Sequence, residues 1–326
     1  MSRLARWISA HPVWAFFILA YLLSWPVFLL VLVVLPQNMA LQGTLGVAAA
    51  FAPAFAAMIV ARIAEPQRLA KQRAAHWLTF LIAWIVAAAA MVLFARHVRG
   101  APLNAGLFVF GGILALLPAF CVSKAFSRVT GIRKHFKSLI APRGNVMWYL
   151  IALLIVPAVQ LAGFGITRLL GGEAGAESEL SISFDPAAAA LLFLYGFFFA
   201  GGINEESGWR GFALPRLQRR YCPLVAALIV WVFWALWHLP ADLASDEPAS
   251  SILTNRLLFN AIWSILFAWV FNRTRGSLLA PAIFHPAMNA SGMLLPKTDA
   301  AKVLFIILTL VAIVSDRMWR RLPDEE

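Results

Sequence analysis

Charge is what this chain has least of. Asp, Glu, Lys and Arg make up 13% of its 326 residues, against roughly a quarter in soluble domains, while 62% are hydrophobic and the mean hydropathy is +0.80. That balance excludes a soluble globular protein and leaves no room for a separate soluble domain. Cysteine is almost absent too: Cys121 and Cys222 sit in or beside different apolar runs, which argues against a disulfide framework and a Cys-based metal site. No repeat, low-complexity tract or lipidation motif occurs. No Lys-Ser/Thr follows a glycine-rich loop, so Gly201, Gly202, Gly208 and Gly211 read as places where helices approach closely, not as a phosphate cradle.

What is present instead is a succession of apolar runs, each able to cross a hydrocarbon core about 30 Å thick, for which roughly 17 to 25 helical residues suffice. They fall at about 13–35, 44–63, 77–95, 105–123, 147–170, 185–203, 221–241, 252–271, 277–295 and 301–315. Backbone polar groups in lipid are satisfied only in helices or closed barrels. The expected fold is therefore all-α, a polytopic transmembrane helical bundle of about ten spans. Acids are scarcer than bases, 15 against 27, for a net charge of +12. In a membrane protein this signals topology and contact with anionic lipid, not a nucleic-acid partner. With the N-terminus inside, the basic clusters at residues 3–6, 62–73, 124–143, 210–220, 273–275 and 317–321 all fall on cytoplasmic connections. Acids without basic neighbours (Glu173, Glu177, Glu179, Asp242, Asp246, Glu247) gather on the outer loops. Both termini are thus expected in the cytoplasm. The first run starts too deep and extends too far for a cleaved signal peptide, and no Ala-x-Ala-like site closes it, so the N-terminus is expected to be retained.

Residues 1–171 read as scaffold spans with interfacial Trp, 185–295 as a functional core, and 296–326 as a last span and cytoplasmic tail, all one integrated membrane domain. The division rests on titratable groups. His11, His76, His97 and His135 lie in polar loops or at span ends, whereas His238 and His285 lie inside apolar runs; among acids, Glu205 and Glu206 alone do so. A charge at the bilayer centre costs about 2.5 to 3.5 kcal/mol on insertion scales, so such residues are a functional-site hypothesis by default. A helix around Glu205–Gln218, a turn near Arg219–Pro223 and a returning span put Glu205 and His238 roughly 21 and 24 Å from the tip, at 1.5 Å per residue. His285, about 12 Å into a span entered from the same side, reaches the same half of the bilayer. Arg210 stands four residues after Glu206 and is expected to pair with it. Glu205 is then the less compensated carboxylate, placed with His238 to activate a water by general base catalysis. His285 and Asn289, at i and i+4, offer two donors from one helix face for an oxyanion.

These residues carry a resemblance. "NEESGWRGFALPRLQRR" resembles the E-E-x-x-x-R motif of the CAAX prenyl protease and bacteriocin-processing (CPBP, or Abi) family of intramembrane endopeptidases. "WALWH" is similar to its second motif, an aromatic four residues before His, and "NRTRGSLLAPAIFHPAMN" to its third, H-x-x-x-N. The match covers roughly residues 195–295. It implies peptide-bond hydrolysis in a membrane cavity, with Glu205 and His238 activating water, His285 and Asn289 holding the oxyanion, and Glu206 and Arg210 supporting the first Glu. Trp234 stands where the family commonly has Phe and reads as a packing substitution. Pro286, directly after His285, removes a helix hydrogen bond and is expected to kink its span.

The chain lacks H-E-x-x-H, the compact spacing that argues for zinc, so metal-free chemistry with no cofactor is favoured. Zinc remains the alternative, with Glu205, His238 and His285 as its ligands. The partners implied are a membrane-associated peptide or protein, prenylated or not, and the bilayer itself. Resemblance to the bacterial branch points to a prokaryotic plasma membrane. Two other readings compete: a proton-coupled transporter using Glu205, His238 and His285 as a relay, and a catalytically silent scaffold that binds membrane proteins. Transporters often carry matching interrupted helices in two repeats, and here the titratable groups all lie in one half.

Overall fold

The computed structural model describes residues 2–31, 39–65, 74–172, 185–243, 245 and 247–323, with residues 39–42 by their backbone alone. The chain is helical, without a strand among the described residues. In order the helices are α1 (Arg3–Ala10), α2 (Pro12–Leu29), α3 (Met39–Ala50), α4 (Ala52–Ala64), α5 (Ala74–His97), α6 (Ala105–Ser123), α7 (Thr130–Ile140), α8 (Met147–Leu169), α9 (Pro186–Phe199), α10 (Gly202–Gly208), α11 (Leu214–Gln218), α12 (Pro223–Trp237), α13 (Leu239–Leu243), α14 (Ala249–Thr254), α15 (Asn260–Arg273), α16 (Leu279–Leu294) and α17 (Asp299–Ser315). Wide π-helical turns at Trp209–Ala213 and Asn255–Phe259 join α10 to α11 and α14 to α15.

Among the described residues each of the ten apolar runs is helical over most of its length. Seven helical stretches are long and apolar enough to cross a membrane by length and composition: Pro12–Leu29, Gly43–Ala64, Ala74–His97, Ala105–Phe126, Met147–Leu169, Pro186–Gln218 and Ala249–Arg273. α12 is apolar but shorter, at 15 residues, and α16 and α17 have 16 and 17. The chain is an integral membrane protein. The basic stretch 66–73, the acids Glu173, Glu177 and Glu179, and Asp246 lie outside the described residues. Local signals set many helix starts. Proline occupies the first turn of α2, α4, α9, α11 and α12, where its missing N–H is no loss. Asn104, Asp185 and Thr298 accept a backbone N–H at the heads of α6, α9 and α17.

The core is aromatic. Phe16 and Phe17 of α2 pack against Trp209 and Phe212 of the first π turn, and Phe17 stacks on Phe233 of α12 at 3.9 Å between ring centroids. Polar links join the same helices: Tyr21 donates from its hydroxyl to the Phe233 carbonyl at 2.6 Å, Trp25 Nε1 to the Trp237 carbonyl at 3.2 Å, and Trp237 Nε1 to Ser24 Oγ at 2.8 Å. The first half of the chain is therefore bonded to the helix that ends at His238. Ion pairs close the rim: Arg216 with Glu65, Arg273 with Asp316, and Arg256 with both oxygens of Asp242 at 2.7 and 2.6 Å.

Two interruptions inside the bundle position the site. α3 gives way to α4 at Phe51, and the 33-residue stretch Pro186–Gln218 breaks between α9 and α10 at Ala200–Gly201, where Gly201 has φ +114°. Unbroken, that stretch would run about 50 Å, well beyond a hydrocarbon core of about 30 Å. Non-helical backbone at such a depth survives only when other groups satisfy it. Asn204, fully buried, does so: its Oδ1 accepts from Gly201 N at 2.8 Å, and its Nδ2 donates to the Phe199 and Ala50 carbonyls, both at 3.2 Å. One side chain thereby ties both breaks together. The remaining carbonyl, of Ala200, accepts from Asn289 Nδ2 of α16 at 3.1 Å.

Candidate active site

The break delivers Glu205 and Glu206 on α10 into the interior, and α12 and α16 bring His238 and His285. Among the described residues, the buried acids, bases and histidines are His76 at the head of α5 together with Glu205, Glu206, Arg210 and His285. His76 is a satisfied packing residue, its Nδ1 against the Ser123 carbonyl at 2.9 Å. The others form one cluster.

Arg210 donates from Nη1 to Glu206 Oε1 at 2.8 Å, as the i to i+4 spacing requires. His285 Nδ1 lies 2.7 Å from the same oxygen, so Glu206 is shared between Arg210 and His285. Sequence spacing placed Arg210 correctly but gave no sign of the histidine, which is 79 positions away. A buried carboxylate with a guanidinium and an imidazole on it is compensated in the way low-dielectric interiors demand. The guanidinium also lies over the rings of Phe267 and Trp234, its Cζ 3.9 and 4.4 Å from their centroids.

Glu205 has a different partner. Its Oε2 accepts from the indole Nε1 of Trp234 at 2.7 Å. The expectation that Trp234 merely packs is therefore corrected: an indole carries an N–H that a phenyl ring lacks, and here it is spent on the carboxylate. Trp234 also receives His238, whose Nδ1 is 2.7 Å from the Trp234 carbonyl. That oxygen can only accept, so Nδ1 carries the proton and Nε2 of the neutral ring is left as an acceptor. Glu205 meets α12 one turn short of His238, consistent with the π turn at Trp209–Ala213 spending an extra residue without a full residue's advance along the helix.

His285 lies with its Cδ2–Nε2 edge against Gly201, where an added Cβ would stand 2.5 Å from Nε2. Gly201 is thus required twice, by its positive φ and by the ring beside it. Pro286 does not break α16, which continues from Leu279 to Leu294 with both His285 and Pro286 buried. Gly196 of α9 makes room for the ring: a Cβ there would be 2.8 Å from Pro286 Cβ. Asn289, one turn on, spends one amide N–H on the Ala200 carbonyl and keeps a second. His238 and Asn289 are the half-buried members of the group and give it its exposed side.

The zinc ligand set does not assemble. Among the described residues no three His, Cys, Asp or Glu side chains form a group able to hold a metal ion. Asn204, Gly201 and Trp234 are the members that sequence reasoning missed. Asn204 left a trace, a polar amide directly before the two glutamates in an apolar run.

Residues 187–291 match the model of the type II CAAX prenyl endopeptidase Rce1-like family. The chain is 28% identical over 182 residues to CAAX prenyl protease 2 of Methanococcus maripaludis, a match covering 52% of this chain and 66% of the relative, just under two thirds of its length. Both support the CPBP resemblance of the three motifs.

Proposed function

We infer that this chain is an intramembrane endopeptidase hydrolysing a peptide bond of a membrane-associated peptide or protein, without a metal. The observation that carries the reading is the convergence of Glu205 and His238 on Trp234, beside His285 held by Glu206 and Arg210. Glu205, by its second oxygen, and His238, by Nε2, hold a water and take its proton as it attacks the scissile carbonyl. The oxyanion that forms is met by the second N–H of Asn289 and by the imidazole of His285. Collapse expels the amine, which receives a proton from the Glu205–His238 pair. Glu206 and Arg210 do not touch substrate; they fix the ring of His285.

The relative's name points to a prenylated C-terminal Cys-a-a-X substrate, and the basic clusters along the sequence favour an orientation with both termini inside. The decisive assay is cleavage of quenched peptides, prenylated C-terminal ones included, by purified protein, its Glu205→Ala and His238→Ala variants run in parallel. Cleavage by both variants at the wild-type rate would sink the mechanism; no cleavage by the wild type favours the silent scaffold.

Two further outcomes are expected. Cleavage persists after chelation, with no zinc at stoichiometric level in elemental analysis; stoichiometric zinc whose removal abolishes turnover would reverse the metal-free assignment. Gly201→Ala lowers kcat roughly tenfold to a hundredfold, because the methyl group displaces His285 and small misplacements of catalytic groups have effects of that order. Unchanged kcat in that variant would remove His285 from the mechanism.

A further inference from the structure

Trp234 touches more of the cluster than any other residue in it. It is almost fully buried, and its indole N–H, its carbonyl and its ring face each serve a different partner. The N–H donates to Glu205 Oε2 at 2.7 Å, the carbonyl takes His238 Nδ1 at 2.7 Å, and the ring lies under Arg210. Its edge meets the imidazoles of His238 and His285, at 5.5 and 5.8 Å between centroids. Phe267 packs against the same ring, 5.8 Å away and nearly perpendicular.

Resting on the endopeptidase reading, we propose that Trp234 is a positioning residue that sets Glu205 and His238 for the same water through its indole N–H. A carboxylate on a short side chain in an apolar pocket has several rotamers open to it. One N–H donated to Oε2 restrains the carboxylate and leaves Oε1 to hold the water that His238 also binds. The same helical turn fixes His238: its Nδ1 bond to the carbonyl of residue 234 leaves Nε2 as the acceptor, whatever the side chain at 234 is. Only the carboxylate half of the arrangement therefore depends on tryptophan. A phenylalanine at this position would keep the ring under Arg210 and the contact with Phe267, but would leave Oε2 without its donor. That separates an N–H role from a packing role by one substitution.

The test has two arms. In the first, Trp234→Phe is compared with β-(3-benzothienyl)alanine at position 234, which keeps the bicyclic shape and replaces N–H by sulfur. Both are expected to lower kcat roughly tenfold to a hundredfold, the range for a lost hydrogen bond to a charged group, with KM changed less than about twofold. If the benzothienyl variant turns over like the wild type, shape alone matters and the proposal falls. The second arm needs no turnover. In protein labelled with ¹⁵N at the indoles of its 13 tryptophans, the resonance lost in Trp234→Phe is expected to move on Glu205→Gln while the others stay. An unmoved resonance overturns the contact itself, whereas a moved one in a protein that cleaves nothing faults the endopeptidase reading and leaves the contact standing.

Discussion

Glu205→Gln is expected to lower peptide cleavage by about 10²- to 10⁴-fold, the usual contribution of a positioned general base. The amide is close to isosteric, and its oxygen can still accept from Trp234 Nε1, so the surrounding cluster stays intact. Thermal stability in detergent or nanodiscs should therefore match the wild type. What is lost is the second carboxylate oxygen, the one proposed to take a proton from water. The substitution also separates the competing readings. A silent scaffold has no turnover to lose, and a proton-coupled transporter would lose transport while no peptide is cut by either form. Cleavage by Glu205→Gln within about threefold of the wild type would remove Glu205 as the base and with it the proposed mechanism.

Glu206→Ala should behave in the opposite way, failing first in stability. Arg210 is 1% exposed and Glu206 fully buried, so truncation leaves a guanidinium in the interior without its hydrogen-bonded carboxylate. Breaking one partner of a buried pair costs about 3–5 kcal/mol, whereas replacing both by apolar groups of similar volume is often close to neutral. The single variant is thus expected to unfold several kcal/mol more easily in a denaturant titration, and Glu206→Ala with Arg210→Met to recover much of that loss. Neither protein should cleave well, because His285 has lost the carboxylate that orients it. A double variant no more stable than the single one would show that the pair is not what makes Glu206 indispensable to the fold.

Much of this was visible before any coordinates. An apolar run announces a helix by composition alone, and the described part of each run is largely helical, with seven stretches long and apolar enough to cross a membrane. The buried charges were visible because each is expensive and needs a reason. The Glu206–Arg210 pair was visible because helix geometry fixes i to i+4 neighbours regardless of the rest of the fold. Contacts between helices were not. His285 reaches Glu206 across 79 positions, and Trp234 reaches Glu205 across 29, through rotamers that packing alone decides. Trp234 was hidden further by company, since Trp231 and Trp237 flank it and 13 tryptophans occur in the chain. Pro286 could be read from the sequence as an interruption of its span, but nothing there showed that Gly196 would stand beside its ring.

The bonds from α2 to α12 have a consequence for how the molecule is made. Tyr21 and Phe233 are 212 positions apart, as are Trp25 and Trp237. At about 5–20 residues per second, a ribosome needs roughly ten to forty seconds between the two. For that interval α2 packs on α4 but lacks α12, the helix that takes the bonds of Tyr21 and Trp25. Ser24 has an internal answer, its hydroxyl turned back on the Ala20 carbonyl at 2.8 Å, while Tyr21 and Trp25 must look to the interface, to lipid headgroups or to the insertion machinery. The candidate cluster is consequently a late event in biogenesis: the helix that ends at His238 reaches α2 only when most of the chain has left the ribosome, so a nascent protein exposes no assembled cluster to the membrane around it.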